Sequence, residues 1–188
     1  MHVDQMNFIQ NLKNTYPNYF DNCSVLEVGS CNVNGTIRDY FENCEYVGID
    51  VGPGNCVDIV CSGHEYDGPS NYFNTVISTE CFEHNPFWLE TFINMIRMCK
   101  SGGLIAFTCA GEIRPEHGTF RSYPDASHLT NSIGWGDYYR NLSASDFTSK
   151  IDFNEHFAPN EYTFVDGYSY EYRLYRRPMD LYFWGFKK

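Results

Sequence analysis

Five short apolar runs, each closed by turn residues, constrain this chain more than any other feature. They are SVLEVG (24–29), EYVGID (45–50), CVDIV (56–60), YFNTVIST (72–79) and LIAFTCA (104–110). Runs of this length and composition read as buried strands. Helical patterns stand between and before them. Residues 4–16 space Met6, Phe8, Ile9 and Leu12 at helical intervals before Pro17. TIRDYFEN (36–43) reads as a helix after Gly35. Asn85 and Pro86 open a helix running to about Lys100, with Leu89, Phe92, Ile93 and Ile96 on one face and Gly102 and Gly103 as its stop. Strands alternating with helices predict a parallel sheet with helices on its faces. The end of the chain differs. EYTFVDGYSYEYR (161–173) and DLYFWGFKK (180–188), joined by a turn containing Pro178, predict an appended hairpin.

No repeat, low-complexity linker or charge block interrupts the 188 residues, so 1–188 read as one domain. Residues 111–150 show little periodicity. A segment of that length suits a function, and it is read as an acceptor-side lid or insertion. No apolar run approaches a membrane span. The N-terminal stretch lacks the basic start and apolar core of a signal peptide, so a cytoplasmic location is expected.

Thirteen Lys and Arg face 24 Asp and Glu, for a net charge of −11. That balance disfavours a nucleic-acid partner, which normally meets a basic footprint. The charge is uneven: residues 173–188 hold five basic groups and one acidic. This basic tail reads either as a solvated strand pair or as contact with an anionic partner or neighbouring subunit. The eight cysteines (Cys23, Cys31, Cys44, Cys56, Cys61, Cys81, Cys99 and Cys109) include no CxxC, and several sit in apolar runs as small core residues. Cys56, Cys61 and His64 fit no zinc hook, and no metal is expected.

In an open parallel sheet, ligands bind at the carboxyl ends of the strands. Gly29, after the first strand, permits a tight turn and close backbone approach. The amides that follow it, including Ser30, can meet a carboxylate or phosphate. Asp50 closes the second strand, where a carboxylate can accept both hydroxyls of a ribose, and Val51 lies beside it. That order fits a nucleoside cofactor of either the nicotinamide or the adenosylmethionine class. Ser62, Gly63 and His64 follow the third strand and can read an adenine edge. Asp58, inside the third run, is read as ordering a neighbouring loop.

VLEVGS, GID, FNTVISTECFEH and CKSGGLIAFT, in that order, resemble the class I S-adenosylmethionine-dependent methyltransferases, specifically the small type 11/12-like group. The resemblance covers about 24–110, plus 160–188 in topology. It implies an α/β, Rossmann-like, doubly wound, mostly parallel seven-stranded sheet ending in an antiparallel hairpin. It also implies a transferase that binds S-adenosyl-L-methionine, releases S-adenosyl-L-homocysteine, and methylates an O or N atom of a small-molecule or sugar-like acceptor. Carried over by position, Glu27 is similar to the acid of the first motif, Gly29 to the glycine beneath the methionine, and Asp50 to the ribose acid. Ser62, Gly63 and His64 lie where the family contacts adenine, and Thr79, Glu80 and Cys81 line the sulfonium side. The usual ExGxGxG carries Cys31 and Val33 in place of glycines, and Asn32, Asn34 and Gly35 are the substitute source of turn and donors.

Several residues have two readings. Glu27 is a cofactor contact or a buried structural acid. His84, directly before a helix, makes a helix-entry hydrogen bond or serves as a general base near the acceptor. His117 is a catalytic or acceptor-binding candidate, with Glu116 and His128 behind it. Tyr123, Trp135, Tyr138 and Tyr139 wall an acceptor pocket or belong to the core. A nicotinamide oxidoreductase and a non-catalytic nucleotide-fold module are the alternatives to a methyltransferase.

Overall fold

The computed structural model describes residues 3–167 and 179–188. The run 168–173, the turn at Pro178 and the arginines of the basic tail lie outside the described residues. The strands are β1 (Ser24–Val28), β2 (Glu45–Asp50), β3 (Ile59–Val60), β4 (Phe73–Thr79), β5 (Cys99–Ala110), β6 (Phe157–Gly167) and β7 (Asp180–Lys187). They form one sheet in the order β3-β2-β1-β4-β5-β7-β6. Its first five strands are mutually parallel, and β7 runs antiparallel between β5 and β6. The helices are α1 (Val3–Thr15), α2 (Trp88–Met98), and the short α3 (His128–Ser132), α4 (Ala144–Thr148) and α5 (Phe153–His156).

β1 lies at the centre, with Leu26 opposite both Val47 and Val76. Successive side chains of a strand face opposite sides. Val25 therefore joins one core with Ile77, Leu104 and Ala106, under Ile9 and Leu12 of α1. Leu26 and Val28 join the other, under α2. That second core is largely aromatic. Phe92 and Phe107 meet edge to face at 5.4 Å, and Phe107 stacks on Phe183 at 5.2 Å, which ties α2 and β5 to the hairpin.

Four local expectations are corrected. Residues 36–43 form only a 3-10 turn, Arg38–Tyr40. Tertiary contacts override helix propensity there: Phe41 stacks on Phe20 at 4.7 Å, and Arg38 binds Asp58 at 2.8 Å while lying over the Tyr46 ring. The third strand shrinks to Ile59–Val60. Asp58 precedes it rather than lying inside it, and its Oδ2 accepts from the Gly48 amide at 2.7 Å.

The inward face of α2 is Trp88, Phe92, Met95 and Ile96, whereas Ile93 is 50% exposed. Asn94 sets this phase by donating to the carbonyls of Gly63 and Tyr66, so a polar residue turns inward where loop oxygens need donors. Finally, α2 ends at Met98, before the glycines. Gly102, with φ +72°, serves instead a register irregularity within β5, whose pairing with β4 jumps from Cys99 to Leu104.

Phe92→Ala opens a cavity in the aromatic core and should cost about 3–5 kcal/mol of unfolding free energy in urea titration. Ile93→Ala, one residue away, should stay within about 0.5 kcal/mol. Equal losses would refute the phase assigned to α2.

Candidate active site

At the carboxyl ends of β1, β2 and β4 lies a cavity of about 630 Å³. That is within the roughly 300–1,000 Å³ usual for a cofactor site. Its geometry begins at Gly29, which turns the chain with φ +80°. A Cβ there would lie 2.7 Å from Cys81 Cβ, so only glycine lets the loop after β1 touch the loop after β4. The Gly29 and Ser30 amides both donate to the Ile49 carbonyl. The next amide, of Cys31, reaches Asp50 Oδ2 at 2.9 Å, and the Val51 amide donates to Asp50 Oδ1 at 2.7 Å. The Asp50 carboxylate is thus clamped between two backbone donors at the cavity wall. Each oxygen keeps acceptor capacity for a ligand hydroxyl. Burial raises its pKa, and the two amides oppose that shift.

The residues that replace the usual glycines leave the hollow open. Cys31 Sγ rests against Gly54, where a Cβ would meet it at 2.6 Å, and Val33 remains 45% exposed. Asn32 Oδ1 accepts from the Gly35 amide at 2.9 Å, so a side-chain turn takes over part of the missing glycine's work. Beneath the loop, Glu27 is almost wholly buried and accepts from the Tyr46 hydroxyl at 2.7 Å. Burial pushes its carboxyl up to about 8, against the stabilising effect of Tyr46.

The opposite wall comes from the loop after β4. Glu80 holds φ +53°, a conformation strained for a non-glycine residue. Its Oε1 accepts from Thr108 at 3.0 Å, and Arg114 approaches Oε2 at 3.6 Å while binding Asp180 at 2.5 Å. Burial and the charge of Asp180 raise Glu80 to about 7. A 3-10 turn, Phe82–His84, then buries Glu83 and His84. Burial lifts Glu83 well above the carboxylate range and drops His84 to about 3, with His117 adding to the drop. His117 faces His84 edge to face at 5.0 Å, and Tyr139 packs on both rings.

The cavity brings together Glu27, Gly29, Ser30, Asn34, Asp50, Thr79, Glu80, Cys81, His84 and His117. Glu116, Tyr123 and His128 also line it. Val51, Ser62, Gly63 and His64 stand outside that lining. The Ser62 hydroxyl donates to Glu65 at 2.6 Å, Gly63 packs against Thr91, and His64 stacks on Phe87 at 4.1 Å near Trp135. Sequence reasoning passed over Asp4, Arg114 and Asp180, which line the far end, and Glu83 behind His84. The signal for Arg114 was present: it is the one arginine or lysine between Lys100 and Arg121, set between Glu112 and Glu116 just after the fifth strand. Asp4 and Asp180 carried none, because they arrive from α1 and β7.

No family model and no curated protein matches this chain. Solved structures do. One is phosphoethanolamine N-methyltransferase 2 of Haemonchus contortus in complex with S-adenosyl-L-methionine. It has 16% identity and a TM-score of 0.63 over 98% of this chain and 52% of that one. A second is 1,6-didemethyltoxoflavin-N1-methyltransferase of Burkholderia thailandensis, at 13% identity and a TM-score of 0.63 over 97% and 78%. A third is an S-adenosylmethionine-dependent methyltransferase of Archaeoglobus fulgidus, at 16% identity and a TM-score of 0.60 over 97% and 94%.

The fold is that of the class I S-adenosylmethionine-dependent methyltransferases.

The chain spans about half the length of the Haemonchus enzyme. Within the class I fold, the expected seven strands and antiparallel end pair are present. Among the described residues no helix is long and apolar enough to cross a membrane.

Glu27 supplies a pH test of the buried wall. The groups facing it are Tyr46, Arg38, Asp50 and Asp58. Its folded pKa is raised from 4.5 to about 8, so the folded state binds the extra proton between those values. Its contribution is therefore complete below pH 4.5 and is lost as pH rises through 8. Relative to Glu27→Gln, the native protein should lose up to about 1.4 kcal/mol of stability per pH unit across that window. Parallel stability-versus-pH curves in denaturant titrations would overturn this assignment.

Proposed function

We propose that this chain is an S-adenosylmethionine-dependent methyltransferase acting on an O or N atom of a small-molecule or sugar-like acceptor. The observation that carries the reading is the clamped Asp50 carboxylate beside the Gly29 bend, on one wall of the cavity. The carboxylate suits a ribose diol. The loop after Gly29 borders the same wall and would face the amino-acid end of the cofactor, although the Ser30 and Cys31 amides expected to meet a ligand carboxylate are engaged by Ile49 and Asp50.

The charge of the lining favours this cofactor over a dinucleotide. Six acidic residues border the cavity (Asp4, Glu27, Asp50, Glu80, Glu116 and Asp180), and among the described residues Arg114 is the one arginine or lysine that does so. Such a wall suits a sulfonium cation and repels a pyrophosphate.

Methyl transfer is an in-line displacement at an activated carbon, so the protein's work is positioning and exclusion of water. Glu27, Gly29, Ser30, Asn34, Asp50 and Val51 would hold the cofactor's methionine and ribose parts. Thr79, Glu80 and Cys81 would flank the sulfonium. Ser62, Gly63 and His64 are the adenine-side candidates of this reading. Segment 111–150 would act as the lid that selects the acceptor: its residues 114–117 and 126–130 line the cavity, while Leu142 and Phe147 anchor it in the core. His84 and His117 stand at the acceptor end of this arrangement.

Calorimetry with S-adenosylhomocysteine tests the proposal. The native chain should bind it and should not bind a nicotinamide dinucleotide. Asp50→Ala should weaken binding by about 1–3 kcal/mol, or roughly 5- to 150-fold, through loss of charge-assisted hydrogen bonds. Unchanged affinity in the variant, or preference for the dinucleotide, would reject the reading.

A further inference from the structure

The acceptor end of the cavity holds side chains that the methyl-transfer reading leaves unexplained. Glu83 is wholly buried, and neither of its carboxylate oxygens has a hydrogen-bond partner. His84 is 5% exposed, and its Nδ1 is likewise buried without a partner. A buried carboxylate with no donor is costly, and native proteins rarely keep one without a reason. His117 supplies a third group. One ligand atom from each of Glu83, His84 and His117 lies within 4.8 Å of the others, the one such cluster among the described residues.

The surroundings prepare these groups for one task. His117 Nδ1 lies 3.0 Å from the Pro115 carbonyl. A carbonyl only accepts, so Nδ1 carries the proton and Nε2 presents its lone pair. Metal-binding histidines are commonly oriented by such a bond. Gly118, with φ +66°, lets the chain close on the other ring: a Cβ there would lie 2.6 Å from His84 Cε1. Arg114, Glu80, Asp180 and Tyr139 surround the cluster, and Arg114 is already held by Glu80 and Asp180.

We propose that Glu83, His84 and His117 form a binding site for one divalent first-row transition ion, with its open positions toward the acceptor end of the cavity. Two imidazole nitrogens and one carboxylate suit zinc, cobalt, iron or manganese far better than calcium or magnesium. Three protein ligands leave room for an exogenous oxygen, as catalytic rather than structural sites do. The ion's role rests on the methyltransferase reading; its binding does not. In that role an acceptor hydroxyl would coordinate the ion and lose its proton to solvent. The oxygen lone pair would then form the new C–O bond as the C–S bond breaks and leaves its electron pair on sulfur.

The test uses the full chain stripped with chelator and titrated with Co²⁺, followed by the ligand-field absorption of the ion, with Zn²⁺ as competitor. The expected result is one Co²⁺ per chain, displaced by Zn²⁺. Glu83→Gln keeps the shape of the side chain, and His117→Gln alters a residue at the cavity edge. Each should weaken Co²⁺ binding at least about 10-fold and change the absorption band. His156→Gln, remote from the cluster, should change neither. Circular dichroism and retained S-adenosylhomocysteine affinity show that a variant has folded.

Absence of Co²⁺ and Zn²⁺ binding by the native chain at millimolar concentration would overturn the proposal. So would a site unaffected by both cluster variants in folded protein. If metal binds as described but S-adenosylhomocysteine does not, the methyltransferase reading fails and the ion site stands. If the homocysteine product binds and the metal does not, the ion site alone fails.

Discussion

The approach of the Gly29 bend to Cys81 is the constraint on which the rest of this site depends. A parallel sheet brings the ends of β1 and β4 side by side, but a side chain at position 29 would hold their loops apart. With glycine and φ +80°, the amides of Gly29, Ser30 and Cys31 are delivered in order, two to Ile49 and one to Asp50. The Asp50 carboxylate is oriented by the Cys31 amide from that bend together with the Val51 amide that follows its own strand. Cys31 and Val33, which stand where smaller residues are usual, both border the cavity, and the Cys31 sulfur packs against Gly54.

The second organising fact is burial of acid. Glu27, Glu83 and Asp180 are buried, Glu80 is partly buried, and Arg114 is the one arginine or lysine that borders the cavity among the described residues. Glu27 has Tyr46, and Glu80 has Thr108 and Arg114. Neither carboxylate oxygen of Glu83 has a hydrogen-bond partner. Such groups reduce the stability of the fold, and sites of function are where proteins keep features of that kind. The strained φ of Glu80, in the same loop, agrees with this. Stability comes from elsewhere, chiefly the aromatic core that joins α2, β5, β7 and the segment 147–164.

The acidic lining also separates the chemistry the cavity can host from the chemistry it cannot. A polyanionic ligand would meet carboxylates on several sides. A cationic sulfonium, or a metal ion at the histidine end, would meet partners. On the proposed reading, one acidic pocket with two distinct ends would accommodate both, because the clamped Asp50 and the Glu83–His84–His117 cluster belong to different loops.

Much of the architecture was legible from residue order alone. Short Val- and Ile-rich runs alternating with helical segments specify a parallel sheet, and two late aromatic runs specify the hairpin, since these patterns depend on local periodicity. Gly29 and Asp50 were legible for the same reason: a strand end positions its next residue whatever follows. What only the tertiary structure decided lies where distant segments meet. The phase of α2 depends on Asn94 finding the carbonyls of Gly63 and Tyr66. The turn at 38–40 replaces a helix because Phe20 and Asp58 capture its neighbours. Asp4 from α1 and Asp180 from β7 reach the cavity from opposite ends of the chain, and His84 meets His117 only because Gly118 admits the ring. Periodicity encodes which residues face inward, but proximity between segments is a property of the packed core, and no local pattern carries it.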